Sequence, residues 1–231
     1  PRSAERGPVT VALGGNALSP PGGEQSSAVE RAPVAATGRS LAALAADGRR
    51  LLVVHGNGPQ VGRLLRTDAD TNDLDVHVAQ TQGELGYLLA EALELATGNP
   101  AVAIVTRVMV DPADPAFGTP TKPIGPVLRT RPAMDHALTV AGGWRRTVAS
   151  PRPLSVVEEG AIGVLLRDYH VIAGGGGGIP LARVANTTAR LAGVIDKDWV
   201  AARLAIVFDA PALVFATDVA GVEVDHGTAQ A

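Results

Sequence analysis

Short apolar segments that each run into a glycine-rich loop constrain the fold of this chain more than any other sequence feature. The segments predict buried strands, and stretches rich in Ala and Leu between them predict helices. Strands that alternate with helices imply a parallel sheet covered by helices on both faces. The predicted strands cover residues 9–13, 51–54, 101–110, 170–173 and 213–216. The predicted helices cover residues 26–47, a stretch from about residue 60, residues 76–97, residues 155–168 and a stretch that ends at residue 206.

Three of the predicted strands end in loops that suit an anion. Ligands of parallel sheets bind beyond the carboxyl ends of the strands, and glycine lets backbone N–H groups approach an anion closely. A helix that begins after such a loop adds its own free N–H groups. The loops are Gly14-Gly15-Asn16, Gly56-Asn57-Gly58 and the five glycines of residues 174–178. An ordinary turn is the alternative for any one loop, but we expect all three to meet at one edge of the sheet.

Lysine is almost absent from this chain, since Lys122 and Lys197 are the only lysines among 20 Lys and Arg residues. A lysine ammonium on its flexible stem can follow a phosphate as it moves, whereas arginine is a rigid fork. Lys197 lies between Asp196 and Asp198. Chance retention at an exposed site is the alternative for either lysine alone. Together with the glycine loops, the two cations predict a polyphosphate ligand and phosphoryl transfer, with nearby acids that could hold Mg²⁺ or orient the lysines.

Residues 111–153 differ from the rest of the chain in composition. They are rich in Pro and Gly, show no helical period, and contain too many prolines for a central strand. A long irregular segment inside a compact domain is usually a lid or a functional loop. We therefore predict one domain over residues 1–231 with a small protruding lobe, built on a hairpin, that carries Lys122. A dimerisation arm without contact to the chemistry is the alternative for this lobe.

Two further features leave alternatives open. His55 follows a predicted strand, where a histidine more often satisfies backbone groups than takes part in catalysis. Gly83 and Gly86 interrupt a predicted helix, and each costs about 1 kcal/mol relative to Ala. They suggest the close approach of another chain, or of a ligand near Thr81 and Gln82.

Composition and charge exclude several classes of function. The chain has no cysteine, which excludes disulfides, Cys-ligated zinc, iron–sulfur clusters and a thiol nucleophile, and which fits a cytoplasmic protein. Its formal net charge of -3 argues against a nucleic acid or an anionic membrane surface as partner. No apolar run approaches the roughly 18 residues of a membrane span, and polar residues 1–8 predict no export signal. No Gly-Lys-Ser or Gly-Lys-Thr sequence occurs, which excludes the common P-loop.

Several segments of this chain together carry a resemblance to a known family. They are residues 12–17, 55–62, 114–126, 144–146 with 150–151, 175–180 and 194–198. Together they resemble the carbamate kinases of the amino acid kinase superfamily, and the similarity extends in order over essentially the whole chain. The Pro-Thr-Lys-Pro-Ile-Gly-Pro segment around Lys122 and the Ile-Asp-Lys-Asp segment around Lys197 are specific to this family rather than general to kinases.

The resemblance implies a fold and a reaction. The fold would be a three-layer αβα sandwich with an open, mainly parallel sheet, and the protein would be a homodimer. The reaction would be reversible transfer of phosphate between ATP and carbamate, which gives ADP and carbamoyl phosphate, with Mg²⁺ as cofactor. The ATP-forming direction would serve arginine catabolism. The sequence gives no firm assignment of a general base. Carbamate forms chemically from bicarbonate and ammonia, which is one reason why the reaction could proceed without a dedicated base.

The resemblance also implies roles for individual residues. The first two glycine loops would hold the substrates, with Gly14, Gly15 and Asn16 at the transferred phosphate and Gly56, Asn57 and Gly58 at the carbamate. The catalytic residues would be the two lysines and their neighbouring acids, Lys122, Lys197, Asp196 and Asp198. The nucleotide would lie along Gly175, Gly176, Gly177 and Asp218.

One departure from the family pattern concerns the end of the chain. Family members continue well past residue 221 through a Gly-Ser-Met-Gly-Pro-Lys motif whose lysine also lies at the phosphates, and this sequence stops at Ala231 without it. We therefore expect a domain that is incomplete at its C-terminus. Two alternatives to an active carbamate kinase stay open. One is a catalytically impaired remnant that binds nucleotide, and the other is a different amino acid kinase that acts on acetylglutamate, aspartate or UMP. The glycine spacing argues against a dinucleotide-binding oxidoreductase.

Overall fold

The computed structural model describes residues 7–18, 27–67, 74–131, 136–140 and 142–217, and the predicted site residue Asp218 lies outside them. The α-helices in these ranges are α1 (Ser27–Ala42), α2 (Gly58–Thr67), α3 (Leu74–Thr97), α4 (Glu159–Leu165) and α5 (Lys197–Val207). The strands of the first half are β1 (Val9–Leu13), β2 (Leu51–His55), β3 (Ala101–Ala103), β4 (Arg107–Val110) and β5 (Lys122–Leu128). The remaining strands are β6 (Ala137–Val140), β7 (Gly143–Val148), β8 (Pro153–Val156), β9 (His170–Ile172), β10 (Ile179–Val184), β11 (Thr187–Arg190) and β12 (Leu213–Ala216).

A parallel sheet of five strands forms the centre of the described structure, in the order β12-β1-β2-β9-β3. In its register, Val11 of β1 lies between Val214 of β12 and Val53 of β2. Every residue of β1 and β2 is buried. Apolar runs without alternation are typical of strands that are covered on both faces. The predicted parallel α/β fold is therefore confirmed.

Helices cover both faces of this sheet. On one face, Val11 and Leu13 of β1 belong to a core that includes Val34 of α1 and Leu89 of α3. On the other face, Ala12 belongs to a core that includes residues of α4 and α5. Successive side chains of a strand point to opposite faces, so the apolar run of β1 supplies both cores. The described elements thus form the three αβα layers that were predicted.

The predicted strand over residues 101–110 is wrong, because this stretch forms two strands in two different sheets. β3 belongs to the central sheet, whereas β4 belongs to a second sheet with the order β11-β10-β4-β8. The break falls before Arg107, where the buried Thr106 directs its backbone N–H to the Gln82 side chain at 2.7 Å instead of to a strand. A side chain on α3 therefore ends β3 and redirects the chain.

The predicted helix over residues 155–168 is also wrong at its start. The chain first forms β8, which pairs antiparallel with β4 through Val156 and Val108, and α4 begins only at Glu159. Helical periodicity over such a short segment did not reveal the strand, because its partner β4 is distant in sequence. The hairpin β10–β11 was not predicted for the same reason.

Residues 122–148 contain a third sheet, which is antiparallel and has the order β5-β7-β6. Lys122 pairs with Val148, and Ile124 pairs with Arg146. The sheet packs on α2, where a Cβ added to Gly62 would lie 3.4 Å from the Gly125 Cα atom. The prediction that residues 111–153 form a lobe inserted in one domain stays a prediction, but the segment does contain the hairpin that its composition suggested.

The two glycines of α3 have different surroundings. A Cβ added to Gly86 would lie 2.7 Å from the Cβ of Ala103 in β3, whereas a Cβ added to Gly83 would meet no atom within 4 Å. Thr81 and Gln82, which precede them, bond to other segments of the same chain. The close approach that Gly86 indicated is therefore made by the chain's own strand.

Substitution of these two glycines by alanine should have opposite effects. We expect Gly83→Ala to raise the free energy of unfolding by up to about 1 kcal/mol, because alanine favours the helix and restricts the unfolded chain. We expect Gly86→Ala to lower it by about 1–3 kcal/mol through overpacking against Ala103. Urea unfolding of both variants measures the difference, and equal shifts in the same direction would contradict this account.

Two histidines are buried in the central sheet, His55 at the end of β2 and His170 at the start of β9. The Nδ1 atom of His170 accepts the Leu51 N–H at 3.0 Å, and that of His55 lies 3.0 Å from the Gly56 carbonyl oxygen, to which it can donate. Burial lowers the pKa of each imidazole to about 4, and the charge of Arg50 adds to the effect at His170. Both rings are therefore neutral at pH 7, and His55 has the structural role that its position predicted.

These histidines should make the fold sensitive to mild acid. The unfolded rings bind protons near pH 6.5 and the folded rings only near pH 4, so stability present above pH 6.5 is lost as the pH falls toward 4. We expect the free energy of unfolding to drop by about 2 kcal/mol per histidine between pH 7 and pH 5. Urea unfolding across this range measures the slope, and constant stability from pH 7 to pH 5 would exclude buried neutral rings.

None of the helices in the described ranges combines the length and the apolar character that crossing a bilayer requires.

Candidate active site

The glycine loops after β1 and β2 touch each other at the carboxyl edge of the central sheet. The Gly56 N–H donates to the Leu13 carbonyl oxygen at 2.9 Å. A Cβ added to Gly56 would lie 2.9 Å from the Gly15 nitrogen and 3.4 Å from Cδ of Lys197. Only a residue without a side chain lets these segments approach so closely. The structure thus brings together two of the predicted loops and one of the predicted lysines.

Two cavities open at this edge, and Gly58 lines both of them. The first, which we call the glycine cavity, measures about 380 Å³ and is lined by Gly14, Gly15, Ala17, Gly58, Pro59, Ala216 and Thr217. The second, the lysine cavity, measures about 220 Å³ and is lined by Gly56, Asn57, Gly58, Lys122, Pro123, Ile124, Gly176 and residues 194–198. A ligand could therefore extend from one cavity into the other past Gly58.

Each lysine of the lysine cavity is paired with a carboxylate. The Lys122 Nζ atom lies 2.7 Å from Oδ2 of Asp196, and the Lys197 Nζ atom lies 2.6 Å from Oδ1 of Asp198. All four side chains keep between a fifth and a half of their surface exposed. Lys122 is the first residue of β5, so a strand of the third sheet carries a cation to helix α5. Lys122 and Asp196 lie 74 positions apart in the sequence, and the fold brings them, together with Lys197, into one cavity.

Asp196 also caps helix α5. Its Oδ1 atom accepts the Asp198 N–H at 3.0 Å, as a residue that precedes a helix commonly does. Burial by itself would raise the pKa of this carboxyl group. The hydrogen bonds from Lys122 and from the Asp198 backbone, with the charges of both lysines, outweigh burial and hold the pKa below its usual value. Asp196 is therefore ionised at neutral pH, which suits an orienting role better than proton transfer.

Two helices begin at the cavities, α2 at Gly58 and α5 at Lys197. The first turn of a helix has N–H groups without intrahelical acceptors, and it carries a partial positive charge. Together with two ammonium groups, these helix ends make the edge of the sheet favourable for a multiply charged anion. The chemistry that such an arrangement supports is binding and transfer of phosphoryl groups.

Gly14 and Gly15 differ in their backbone bonding. The Gly14 N–H donates to the Ala216 carbonyl oxygen at 3.0 Å, which ties β1 to β12, so it is not free to bind an anion. Gly15 and Asn16 belong to the short 3₁₀ turn Gly15–Leu18, which starts a new helical segment. Of the predicted phosphate loop, Gly15 and Asn16 are thus the residues whose N–H groups lie at a helical start, while Gly14 lines the cavity wall.

The five-glycine run serves close packing at most of its positions. A Cβ at Gly175 would overlap the His55 ring, and one at Gly177 would overlap the Ile195 carbonyl group. Gly174, Gly176, Gly177 and Gly178 all have positive φ values, which disfavour other residues. Gly176 lines the lysine cavity, but Gly175 and Gly177 line neither of the two cavities. A role of these glycines along a nucleotide stays a prediction.

Sequence reasoning missed the residue that holds this run in place. Thr106 is buried, and its Oγ1 atom accepts the Gly174 N–H at 2.9 Å. The Gln82 side chain bonds to both the N–H and the carbonyl group of Thr106, at 2.7 and 3.2 Å. The glycines near Gln82 did single out this part of α3, but a threonine inside a predicted strand carried no signal of its own.

In the described part of the chain, no group of three or more His, Asp or Glu side chains lies close enough to hold a metal ion.

Comparisons with known proteins identify the family of this chain. The model of the amino acid kinase family matches residues 8–230. The carbamate kinase of Escherichia coli strain K12 is 42% identical over 238 residues, which cover 96% of this chain and 78% of that protein.

Two solved structures of carbamate kinase from Giardia lamblia have the same fold. One, bound to citric acid, matches with a TM-score of 0.85 and 32% identity, and covers 96% of this chain and 78% of that chain. The other, bound to AMP-PNP, matches with a TM-score of 0.81 and 33% identity, and covers 94% of this chain and 75% of that chain. Our chain therefore belongs to the amino acid kinase family and, within it, to the carbamate kinases.

Proposed function

We propose that this protein transfers a phosphoryl group reversibly between ATP and carbamate, giving ADP and carbamoyl phosphate. The observation that carries the proposal is the lysine cavity, which both lysines line and at which the helices α2 and α5 begin. Membership of the carbamate kinases supports the choice of carbamate as the acceptor. The Giardia lamblia enzyme bound to AMP-PNP supports the choice of an adenine nucleotide.

The two adjoining cavities suit an in-line displacement. We place carbamate in the lysine cavity at Gly56, Asn57 and Gly58, and the transferred phosphate beside Gly15 and Asn16. A carbamate oxygen attacks the γ-phosphorus, the bond from phosphorus to the bridging oxygen breaks, and ADP leaves with that electron pair. Carbamate is already an anion, so no proton has to move and no general base is required. The reverse reaction passes through the same arrangement.

The lysines would neutralise the charge that moves during transfer. We assign Lys197 to the nucleotide phosphates and Lys122 to the transferred group, while Asp196 and Asp198 hold the two ammonium groups in place. Charge stabilisation of this kind supplies most of the catalysis in phosphoryl transfer. In the structure both lysines form ion pairs with carboxylates, so an anionic substrate would compete with Asp196 and Asp198 for the two ammonium groups.

Membership of a kinase family implies that ATP and ADP are substrates, and we propose Mg²⁺ as the accompanying ion. Mg²⁺ prefers oxygen ligands and is usually held by one or two carboxylates together with phosphates and water. Asp198 fits this pattern. Its Oδ1 atom is the oxygen that pairs with Lys197, and the Asp198 side chain is 45% exposed, so the carboxylate is accessible to an ion. When bound, the ion would neutralise charge on the nucleotide phosphates.

Further parts of the proposal rest on the family resemblance. We propose a homodimer in the cytoplasm whose physiological direction is ATP formation in arginine catabolism. We also propose that residues 111–153 act as a lobe of a single domain, because β5 presents Lys122 to the lysine cavity from a separate sheet. Asp218 and the glycine run would lie along the nucleotide.

Removal of the Lys197 ammonium group should strongly reduce catalysis without unfolding the protein. We expect Lys197→Ala to reduce ATP formation from carbamoyl phosphate and Mg-ADP by about 10³-fold, because one cation of the transferring site is lost. Its side chain is four-fifths buried against Gly56 and Asp198 but belongs to no apolar core. Coupled measurement of ATP gives the rate, and circular dichroism confirms the fold.

The matched control is Arg39→Ala, which removes one cation from the exposed surface of α1. This variant should keep the rate of the unmodified chain. A Lys197→Ala variant as active as the control would exclude the assigned role. If the unmodified chain forms no ATP from carbamoyl phosphate, the proposed function itself is wrong.

A methyl group at Gly58 should obstruct the ligand without disturbing the protein. A Cβ there would meet no atom within 4 Å, yet Gly58 lines both cavities. We expect Gly58→Ala to retain its stability and to raise KM for ADP and carbamoyl phosphate by about tenfold or more, since even a one-methylene change in a binding pocket is worth 10-fold or more. Gly160→Ala, at another unobstructed glycine in α4, serves as the control. Unchanged KM values in Gly58→Ala would show that the ligand does not pass this residue.

A further inference from the structure

The side-chain amide of Asn57 is held in one orientation at the wall of the lysine cavity. Asn57 is only 3% exposed, and its Nδ2 atom donates to Oγ1 of Thr81 in α3 at 2.8 Å. A Cβ added to Gly176 would overlap this amide group, so the glycine backbone packs against it. The close packing leaves the amide little freedom to rotate.

Thr81 determines which end of the amide faces it. The Thr81 hydroxyl lies 3.0 Å from the His77 carbonyl oxygen and 2.9 Å from the Val78 carbonyl oxygen, to which it donates its single proton. A hydroxyl whose proton is used in this way can only accept a further hydrogen bond. The donor end of the Asn57 amide therefore turns toward Thr81.

The acceptor end of the amide is consequently left for a ligand. Within the described part of the chain, no donor bonds to Oδ1 of Asn57, although Asn57 lines the lysine cavity. Carbamate carries an amino group, which donates hydrogen bonds, next to its carboxylate group. Acetate has the same shape, but it carries a methyl group at that position, which donates none.

We propose that Thr81 is a positioning residue that makes Asn57 select an amino group on the substrate. Oδ1 of Asn57 accepts an N–H of carbamate or carbamoyl phosphate, and a methyl group in the same place leaves this oxygen without a partner. This inference rests on the proposed function and deepens it, because it assigns the discrimination between carbamoyl and acetyl substrates to two named residues. A buried acceptor left unpaired is costly, so polar sites discriminate strongly against analogues that lack the donor.

The test compares two phosphoryl donors with the full chain. ATP formation from Mg-ADP is measured with carbamoyl phosphate and with acetyl phosphate, and the ratio of the two kcat/KM values gives the preference. Thr81→Val removes the acceptor for Nδ2 while it keeps the shape of the side chain. We expect this variant to lower the preference for carbamoyl phosphate about tenfold, mainly through the carbamoyl substrate. Thr81→Ser keeps the hydroxyl and should retain the preference.

Two controls separate positioning from stability. Thr97, on the same helix, donates its hydroxyl to the Leu93 carbonyl oxygen at 2.7 Å in the same manner but has no contact with Asn57, so Thr97→Val should leave the preference unchanged. If Thr81→Val does not fold, the smaller Thr81→Ala gives the same comparison. An unchanged preference in a folded Thr81→Val or Thr81→Ala variant, or a loss in Thr81→Ser, overturns the inference while the proposed function stands. No ATP from carbamoyl phosphate with the unmodified chain overturns both.

Discussion

Close contact between glycine backbones at the carboxyl edge of the sheet is the constraint on which the rest of the site depends. Gly15 and Gly56 approach so closely that a single Cβ would separate the loops after β1 and β2. Gly176 makes a similar contact with the Asn57 amide. These contacts bring the starts of α2 and α5 to one place, so helix ends that would otherwise lie apart face a common cleft.

The charged side chains of the lysine cavity lie around these closely packed glycine loops. Asp196 both caps α5 and pairs with Lys122. One carboxylate therefore stabilises the start of a helix and holds the ammonium group of a lysine that belongs to the third sheet. Lys197 lies over the Gly56 backbone, which leaves room for its aliphatic stem. In the proposed reaction, the carboxylates would keep both lysines in position until an anion binds, and the lysines would then change partner to follow the moving phosphoryl group.

The sequence predicted the central elements well because their signals are local. The apolar run of β1 matches its predicted bounds, and the glycine loops were expected to converge because parallel strands end at one edge. Prediction failed where distant partners decide the structure. Residues 101–110 contain enough β-branched residues for one strand. The Gln82 side chain accepts a hydrogen bond from the Thr106 backbone, however, and the stretch forms two strands instead. The strand β8 depends in the same way on β4.

The sequence by itself determined the class of the fold and the positions of the glycine loops, and it singled out the two lysines that line the lysine cavity. Apolar runs, glycines and rare residue types are all visible locally. Tertiary structure alone decided which backbone N–H groups remain available to a ligand. The Gly14 N–H, for example, is not available, because it donates to the Ala216 carbonyl oxygen. It also decided that the glycine run packs against His55 and Ile195, and that the Asn57 amide donates to the Thr81 hydroxyl. Hydrogen-bond partners and close contacts join residues far apart in the chain, so their geometry exists only once the elements have packed.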